Sequence, residues 1–298
     1  MGTLGSLALF FFLMWTRRLP GFFEMKLKKR LEDSLSAGEL ACLVGAYDMV
    51  GDMAIIIIPA ELAAKEQLIA EAVLGSNKKI RVVAKRAGNY GGEFRTIPLQ
   101  VLAGENRKET EVVESGVRLL VNPETVYYSV RSGNERRRLA ALVQPGESVL
   151  VLFSGIAPFP LIIARYSEAK SVVGIEKNPE AHAYARENLR RNKKQKNIHL
   201  YLGDVREVVP ALAATYDRVI MPLPAGGEEF LPCGLQAVRA GGVLHFYALQ
   251  RPELFAASCE KIAAACAAVN RTVLSTAITR CGHCAPKTYR ICIDARIS

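Results

Sequence analysis

The chain has 298 residues, half of them apolar, with 39 basic against 29 acidic side chains, a net charge of +10 and a pI near 9.3. That length and apolar content exclude a disordered or fibrous chain and leave room for two folded domains. The basic excess falls in clusters, namely Lys26, Lys28, Lys29 and Arg30; Lys78, Lys79, Arg81, Lys85 and Arg86; Arg136 to Arg138; and Arg190, Arg191, Lys193, Lys194 and Lys196. Clustered positive charge favours a polyanionic partner over a merely basic housekeeping protein.

Residues 1–24 form an apolar N-terminal extension. Its run from Leu4 to Trp15 is shorter than the roughly 20 residues that span a bilayer. Arg17 and Arg18 follow the run instead of preceding it, which makes a poor secretory signal. No membrane association is expected, a membrane anchor being the minority reading. Met25 then opens a polar helix.

Residues 25–122 are expected to make a small α+β domain. One amphipathic helix or two short ones cover 26–44, Asp52–Ile58 reads as a strand, and Pro59–Leu74 as a helix with proline at its start. Ile80–Lys85, Thr96–Ala103 and Glu111–Val121 read as further strands, with Gly91-Gly92 and Gly104 as turns.

From residue 123 to 298 the rhythm is strict β/α alternation. Helix Asn134–Val143 precedes strand Val149–Phe153, helix Pro158–Tyr166, strand Ser171–Ile175 and helix Pro179–Asn192. Strand Ile198–Tyr201, helix Val205–Leu212, strand Arg218–Met221, helix Gly226–Ala240, strand Val243–Tyr247 and helix Glu253–Val269 follow, and Val273–Ile278 and Tyr289–Ile293 close the chain as strands. Short apolar strands joined by helices imply a doubly wound, mostly parallel sheet covered on both faces. The last two strands lack an intervening helix and fit an antiparallel edge. The fold class is therefore α/β, a doubly wound, mostly parallel sheet with an antiparallel edge strand, preceded by a small α+β domain, and the closing strands resemble those of class I (Rossmann-like) methyltransferase domains.

Seven cysteines, an odd number scattered among apolar residues, argue for reduced thiols and a cytoplasmic location. Cys281-Gly282-His283-Cys284 has the spacing of a dithiol redox motif, but Pro286 follows where such a motif opens a helix. Redox chemistry is the lesser reading, and no metal is expected because further ligands are not in sight.

The chemistry lies at the strand ends. Phe153-Ser154-Gly155 turns after the first strand of the alternating region, Glu176 closes the second, and Gly203-Asp204-Val205 follows the third. A small-residue turn lets backbone approach a nucleoside, and a strand-end carboxylate accepts hydrogen bonds from ribose hydroxyls. A single glycine stands where a pyrophosphate-binding loop wants three, so a cofactor without phosphates, such as S-adenosyl-L-methionine, fits better than NAD. The bland alternatives are an ordinary loop glycine and solvated or helix-capping acids. Met221-Pro222-Leu223-Pro224 follows the fourth strand, where substrate meets the methyl group in this fold.

The ordered set Ala46 to Ile55, Gly92-Glu93-Phe94-Arg95-Thr96, Val126 to Arg131, Asn134-Glu135-Arg136, Phe153 to Phe159, Glu176 to Pro179, Gly203 to Arg206, Asp217 to Met221 and His245-Phe246-Tyr247 resembles the archaeal and eukaryotic tRNA guanine-37 N1-methyltransferases. It also resembles their wyosine-pathway sisters, which move an aminocarboxypropyl group from the same cofactor. The resemblance covers about residues 45 to 295 and implies methyl transfer to N1 of guanosine 37, with the anticodon stem-loop of tRNA as partner and a monomeric enzyme. The alternatives are aminocarboxypropyl transfer and an inactive tRNA-binding homologue.

By the same resemblance Arg131 is the catalytic residue. Its charge would stabilise the guanine oxygen as N1 loses its proton; a phosphate or carboxylate partner is the plainer role for an arginine. The resemblance also implies a cofactor site of Arg136, Phe153, Ser154, Gly155, Glu176, Lys177, Asp204, Val205 and Pro222. Glu176 matches the ribose-binding acid, with a general-base role as the lesser option, and His182, His199 and His245 read as structural. The family usually carries Asp where Val151 stands, Gly at Ala157 and Asn at Pro222, while Leu223-Pro224 keeps the methyltransferase pattern that the sister enzymes lack.

Overall fold

A computed structural model describes residues 27–298. The extension over 1–24 and the helix start at Met25 lie outside the described residues. The chain divides into two compact units, one containing residues up to Val113 with Leu120–Val130, the other Glu114–Leu119 with Arg131–Ser298.

In the first unit, α1 (Ala37–Cys42) starts at a capping box, with the Ser36 side chain accepting from the Glu39 amide and Glu39 reaching back to the Ser36 amide. The strand expected over 52–58 is β2 (Met53–Ile56), and an unexpected β1 (Asp48–Val50) precedes it and pairs with it antiparallel. Gly51 makes the turn at φ 59°, where a Cβ would lie 2.3 Å from Thr110 Oγ1. A 3-10 stretch (Ala60–Lys65) leads into α2 (Glu66–Leu74), then β3 (Val82–Arg86), parallel to β2, and β4 (Leu99–Gly104), antiparallel to β3. Leu31, Ala54, Ile56, Leu62, Ile69, Val73 and Val83 fill the core between helices and sheet.

The run 111–121, expected as one strand, folds as a hairpin of β5 (Thr110–Glu114) and β6 (Val117–Val121). Ser115 and Gly116 both take positive φ, 48° and 69°, and reverse the chain. Glu114-Ser115-Gly116 breaks the apolar run, and Ser115-Gly116 is the turn signal that reading one strand through it passes over.

The second unit carries α3 (Gly133–Leu142), β7 (Ser148–Leu152), α4 (Pro158–Tyr166), β8 (Ser171–Glu176), α5 (Pro179–Arg191), β9 (Ile198–Leu202), α6 (Val205–Leu212), β10 (Tyr216–Met221), α7 (Leu231–Ala237), β11 (Val238–Gln250), α8 (Phe255–Ala268), β12 (Val273–Ala285) and β13 (Thr288–Ile297). Its described residues form a seven-stranded sheet ordered β12-β13-β11-β10-β7-β8-β9. Strands β7 to β11 pair in parallel, and β13 and β12 are antiparallel at one edge, as the closing strands predicted. Strand order reverses at β7, so the loops after β7 and β10 diverge and open a crevice at their C-terminal ends. Fully buried Leu150, Leu152, Ile175, Val219, Met221, Leu244, Phe246 and Ile293 make one face of the core.

The terminal hairpin is longer than its apolar residues suggested. Strand β12 runs 13 residues, pairs only with β13 among the described strands, and leaves Leu274 and Ile278 exposed at 56% and 40%. The expected helix over 226–240 is shortened to a 3-10 turn (Gly227–Phe230) and α7, because strand β11 already begins at Val238.

Candidate active site

The loop after β7 is built on three left-handed residues, Phe153 (φ 55°), Gly155 (φ 56°) and Ala157 (φ 65°). Two of them carry a Cβ, and each such residue costs on the order of 1–2 kcal/mol relative to ordinary backbone. Ala157 is also the N-cap of α4, with Pro158 at the first helical position. The glycine that the related family carries there is the residue this conformation favours.

Internal bonds hold the loop. The Ser154 amide donates to Ile175 O at 2.9 Å and the Ala157 amide to Ser154 O at 3.0 Å. The Gly155 amide donates to Glu176 Oε2 at 2.7 Å, and the Asn178 amide to Glu176 Oε1 at 2.8 Å. Burial raises the Glu176 carboxyl above its usual range, although the Asn178 and Gly155 amides favour its ionised form. The Lys177 amide bonds the carboxylate as well, so three of its about four lone-pair sites face amides and one is left for a hydroxyl donor. Ser154 is 3% exposed and its Oγ has no hydrogen-bond partner among the described atoms. Gly174 permits this close packing, since a Cβ there would come within 3.0 Å of Ser154 Oγ.

Asp204 caps α6, accepting from the Arg206 amide at 2.9 Å. Its carboxylate also holds the Arg206 guanidinium at 3.0 and 2.7 Å and Lys177 Nζ at 3.0 Å. Arg206 holds the Asp204 carboxyl well below the usual range, outweighing burial. Val205, 3% exposed, packs into the core. Phe153 meets Phe230 edge to face at 4.9 Å, and Arg206 lies over Phe230 at 5.2 Å. After β10, the Leu223 amide donates to Met221 O at 2.9 Å, a tight turn centred on Pro222 whose fixed φ suits it. Phe153, Ser154, Gly155, Glu176, Lys177, Asp204, Val205 and Pro222 therefore gather at the C-terminal ends of four adjacent parallel strands.

Arg136 and Arg131 are placed differently. Arg136 is 3% exposed and makes a two-pronged ion pair with Glu114, at 2.7 and 2.6 Å, with its guanidinium 5.7 Å from the Phe159 ring centre. Nothing in the sequence spacing announces that partner 22 residues earlier in the hairpin. Arg131 is exposed in a short 3-10 turn (Val130–Ser132). Arg290 pins that turn, donating to Ser132 Oγ at 2.9 Å and Arg131 O at 3.3 Å.

Sequence reasoning passed over two groups. Glu135, one residue before Arg136 and 5% exposed, accepts the Tyr247 hydroxyl at 2.5 Å and grips Arg138 at 2.7 and 2.8 Å. Arg138 continues to Asp294, which bonds His245 Nδ1 at 2.6 Å, and Arg218 Nη1 lies 3.3 Å from His245 Nε2. His245, Cys292 and Asp294 bring three ligand atoms within 4.8 Å of one another, but the two guanidiniums against them disfavour a dication. In the first unit, Tyr90 and Tyr127 meet edge to face at 6.1 Å, both about half exposed, with Arg86 5.6 Å from the Tyr90 ring. Exposed aromatics interleaved with arginine were the available signal, since such surfaces stack unpaired bases.

The dithiol motif lies inside β12 instead of at a helix start. Burial and nearby Glu135 push the Cys281 thiol up to about 12, and burial raises Cys284 as well, so neither is an activated thiolate. A cavity at the N-terminal end of β11 is lined by Leu235, Val238, Arg239, Val269, Arg271 and Ser298. Arg271 already donates there to Leu235 O, Val238 O, Arg239 O and Ser298 O, which leaves a ligand little to bind.

This strand-end site sits within a known family's boundaries. The TRM5/TYW2 methyltransferase domain matches residues 110–274, and the TYW2 N-terminal domain matches residues 27–107. The chain belongs to the TRM5/TYW2 methyltransferase family. Within it, the chain is 35% identical over 256 residues to a Pyrococcus abyssi protein named tRNA (guanine(37)-N(1))-methyltransferase Trm5b, covering 85% of this chain and 75% of that one. The crystal structure of that Trm5b superposes with a TM-score of 0.81 at 31% identity, over 95% of this chain and 82% of the other. A sister-activity relative, the tRNA(Phe) (4-demethylwyosine(37)-C(7)) aminocarboxypropyltransferase of Methanocaldococcus jannaschii, is 33% identical over 203 residues, or 67% of this chain and 77% of that one. The solved complex of aTrm5 and tRNALeu has a TM-score of 0.75 at 30% identity, over 96% of this chain and 80% of the other. No helix of the described residues is long and apolar enough to cross a membrane.

Proposed function

We propose that this protein transfers a methyl group from S-adenosyl-L-methionine to N1 of guanosine 37 in tRNA. The observation that carries the reading is the set Gly155, Glu176 and Asp204 on three successive strand ends, in a chain whose match to a named guanine-37 N1-methyltransferase spans 256 residues. The residues fit the cofactor. Glu176 keeps acceptor capacity for a ribose hydroxyl, Asp204 stands at the adjacent strand end for an adenine amino group, and the unbonded Ser154 hydroxyl lies in the β7 loop on the other side of Glu176. The loop after β7 carries one glycine, and the Gly155 amide is already given to Glu176, so this loop is not a phosphate cradle.

The cofactor supplies an electrophilic methyl on a sulfonium. The chain's own residues do the rest by position and charge. Arg131, held by Arg290 on β13, offers positive charge to the guanine oxygen as N1 gives up its proton, an interaction that strengthens toward the transition state. Arg136, locked to Glu114, supports the start of α4 through the Phe159 ring more directly than it meets the cofactor. Pro222 and Pro224 stiffen the loop beside the reacting base. The basic clusters and the Tyr90–Tyr127 surface grip an RNA loop whose target base must be splayed out. The expected setting is the cytoplasm, with the protein acting as a monomer and without a metal.

Incubation with unmodified tRNA transcript bearing G37, followed by mass spectrometry of the nucleosides, should yield 1-methylguanosine. Activity on another base and none on G37 would sink the reading. Aminocarboxypropyl transfer is the second reading, favoured by Pro222 in place of Asn and by the TYW2-type N-terminal match. Label carried on the methionine backbone of the cofactor would appear in tRNA only under that reading.

A further inference from the structure

We infer that Asn188 is a positioning residue for the cofactor loop, and that Asn192 ties the same restraint to the β5–β6 hairpin tip. The inference rests on the proposed cofactor role of residues 153–157. A loop with Cβ-bearing residues at left-handed φ persists only where its surroundings over-determine it. Phe153 and Ala157 are such residues, and Ile156 between them is fully buried. The Ile156 carbonyl accepts a hydrogen bond from Asn188 Nδ2 at 3.1 Å, which reaches across from α5. Asn188 is itself fully buried, an unfavourable place for an amide unless its bonds are made.

The restraint continues one helical turn further. Asn192 Nδ2 donates to Asn188 O at 2.7 Å and to Arg118 O at 2.8 Å, while its Oδ1 accepts from the Arg118 amide at 3.1 Å. Arg118 lies on β6, and the same hairpin tip supplies Glu114 to Arg136 and the Ser115 carbonyl to the Tyr166 hydroxyl at 2.6 Å. A run of two buried asparagines thus links the hairpin tip to the carbonyl at the centre of the strained loop. Where the related family relieves strain with glycine at 157, this chain holds alanine in place from outside.

The test is a double-mutant cycle between Asn188→Leu and Ala157→Gly, read by calorimetric titration of the full chain with S-adenosylmethionine. Asn188→Leu should weaken cofactor binding at least tenfold. Adding Ala157→Gly should restore affinity to within threefold of the parent, because glycine adopts the left-handed conformation without the restraint. General damage to the fold would not be undone by a glycine in the loop. An unchanged affinity in Asn188→Leu, or a loss that Ala157→Gly leaves in place, overturns the inference. If Asn188→Leu does not fold, Asn192→Ala takes its place, with a smaller loss and the same rescue required. Should the parent itself bind no cofactor, the functional reading fails. The positioning role is then decided by hydrogen exchange of the Ser154 to Ala157 amides in the cofactor-free protein. Faster exchange in the asparagine variant, slowed again by Ala157→Gly, supports it, and any other pattern refutes it.

Discussion

Glu176 carries two demands that pull against each other. Burial favours its neutral form, while the Gly155 and Asn178 amides need the anion. A carboxyl with a raised folded-state pKa binds its proton more readily when folded, so it lowers folding stability as pH climbs from the ordinary to the raised value. Cofactor binding should run the other way. Ribose hydroxyls donate to the carboxylate, so affinity should weaken as pH falls below neutrality, and titration calorimetry across pH checks the slope. Glu176→Gln keeps the shape but turns one acceptor into a donor facing an amide, and should cost at least tenfold in cofactor affinity, about 1.4 kcal/mol. Unchanged affinity in that variant would remove Glu176 from the site. Glu176, Gly155 and Asp204 were legible in the sequence because each ends an apolar run, and a strand's end is a place in space. Their partners were not. Arg206 sits two residues beyond Asp204 and is a local partner, whereas Lys177 on Asp204 and Glu114 on Arg136 are tertiary pairings that no spacing announces.

At the level of elements, the parallel strands are riveted to the antiparallel edge by charge. Strand β11 offers His245, β13 offers Asp294, α3 offers Arg138 and β10 offers Arg218. Burial lowers the His245 pKa despite Asp294, and a neutral ring donating from Nδ1 and accepting at Nε2 satisfies both neighbours. Burial opposes ionisation of Asp294 too, yet bonds from His245 and Arg138 hold it well below the carboxylate range. Both groups are depressed in the folded state, so the unfolded chain takes up protons first. Stability should therefore fall as pH drops below the ordinary imidazole value, and fall again through the ordinary carboxylate range. Asp294→Asn removes one of the two carboxylates on Arg138, which is a quarter exposed and keeps Glu135, and weakens the partner of His245, so it should cost about 1–3 kcal/mol. Thermal unfolding of parent and variant from pH 8 to about 3 covers the imidazole and carboxylate ranges, and a flat profile in the parent would contradict the assignment. The alternating β/α rhythm gave away the central strands and helices, since each period is short and clean. The hairpins at 48–56 and 110–121 were missed although Gly51-Asp52 and Ser115-Gly116 mark their turns, because the flanking strands of three to five residues are too short for periodicity to separate.

For the whole molecule, the +10 charge is a statement about its partner. Lys193, Lys194 and Lys196 are exposed beside the end of α5. Replacing the three together by glutamate should weaken tRNA binding at least tenfold. The slope of log affinity against log salt should become shallower by about 0.7–0.9 for each phosphate that the variant no longer neutralises. Filter binding at several salt concentrations reads both numbers, and an unaltered slope would place the RNA elsewhere. Fold class and cofactor type emerged from sequence because they depend on strand ends and loop composition, whereas the RNA surface depends on which basic clusters share a face. The long terminal strand β12 has a consequence for the protein in bulk. Its 13 residues carry Arg280 as their one charged side chain and no proline. Although three register breaks against β13 kink its ends, the stretch 275–280 between them is regular and open. Concentrated or gently heated protein should accordingly add strand to strand along this edge. Ile278→Lys, on a residue 40% exposed and far along the sheet from the cofactor loop, should raise the solubility limit and leave methyl transfer as it was.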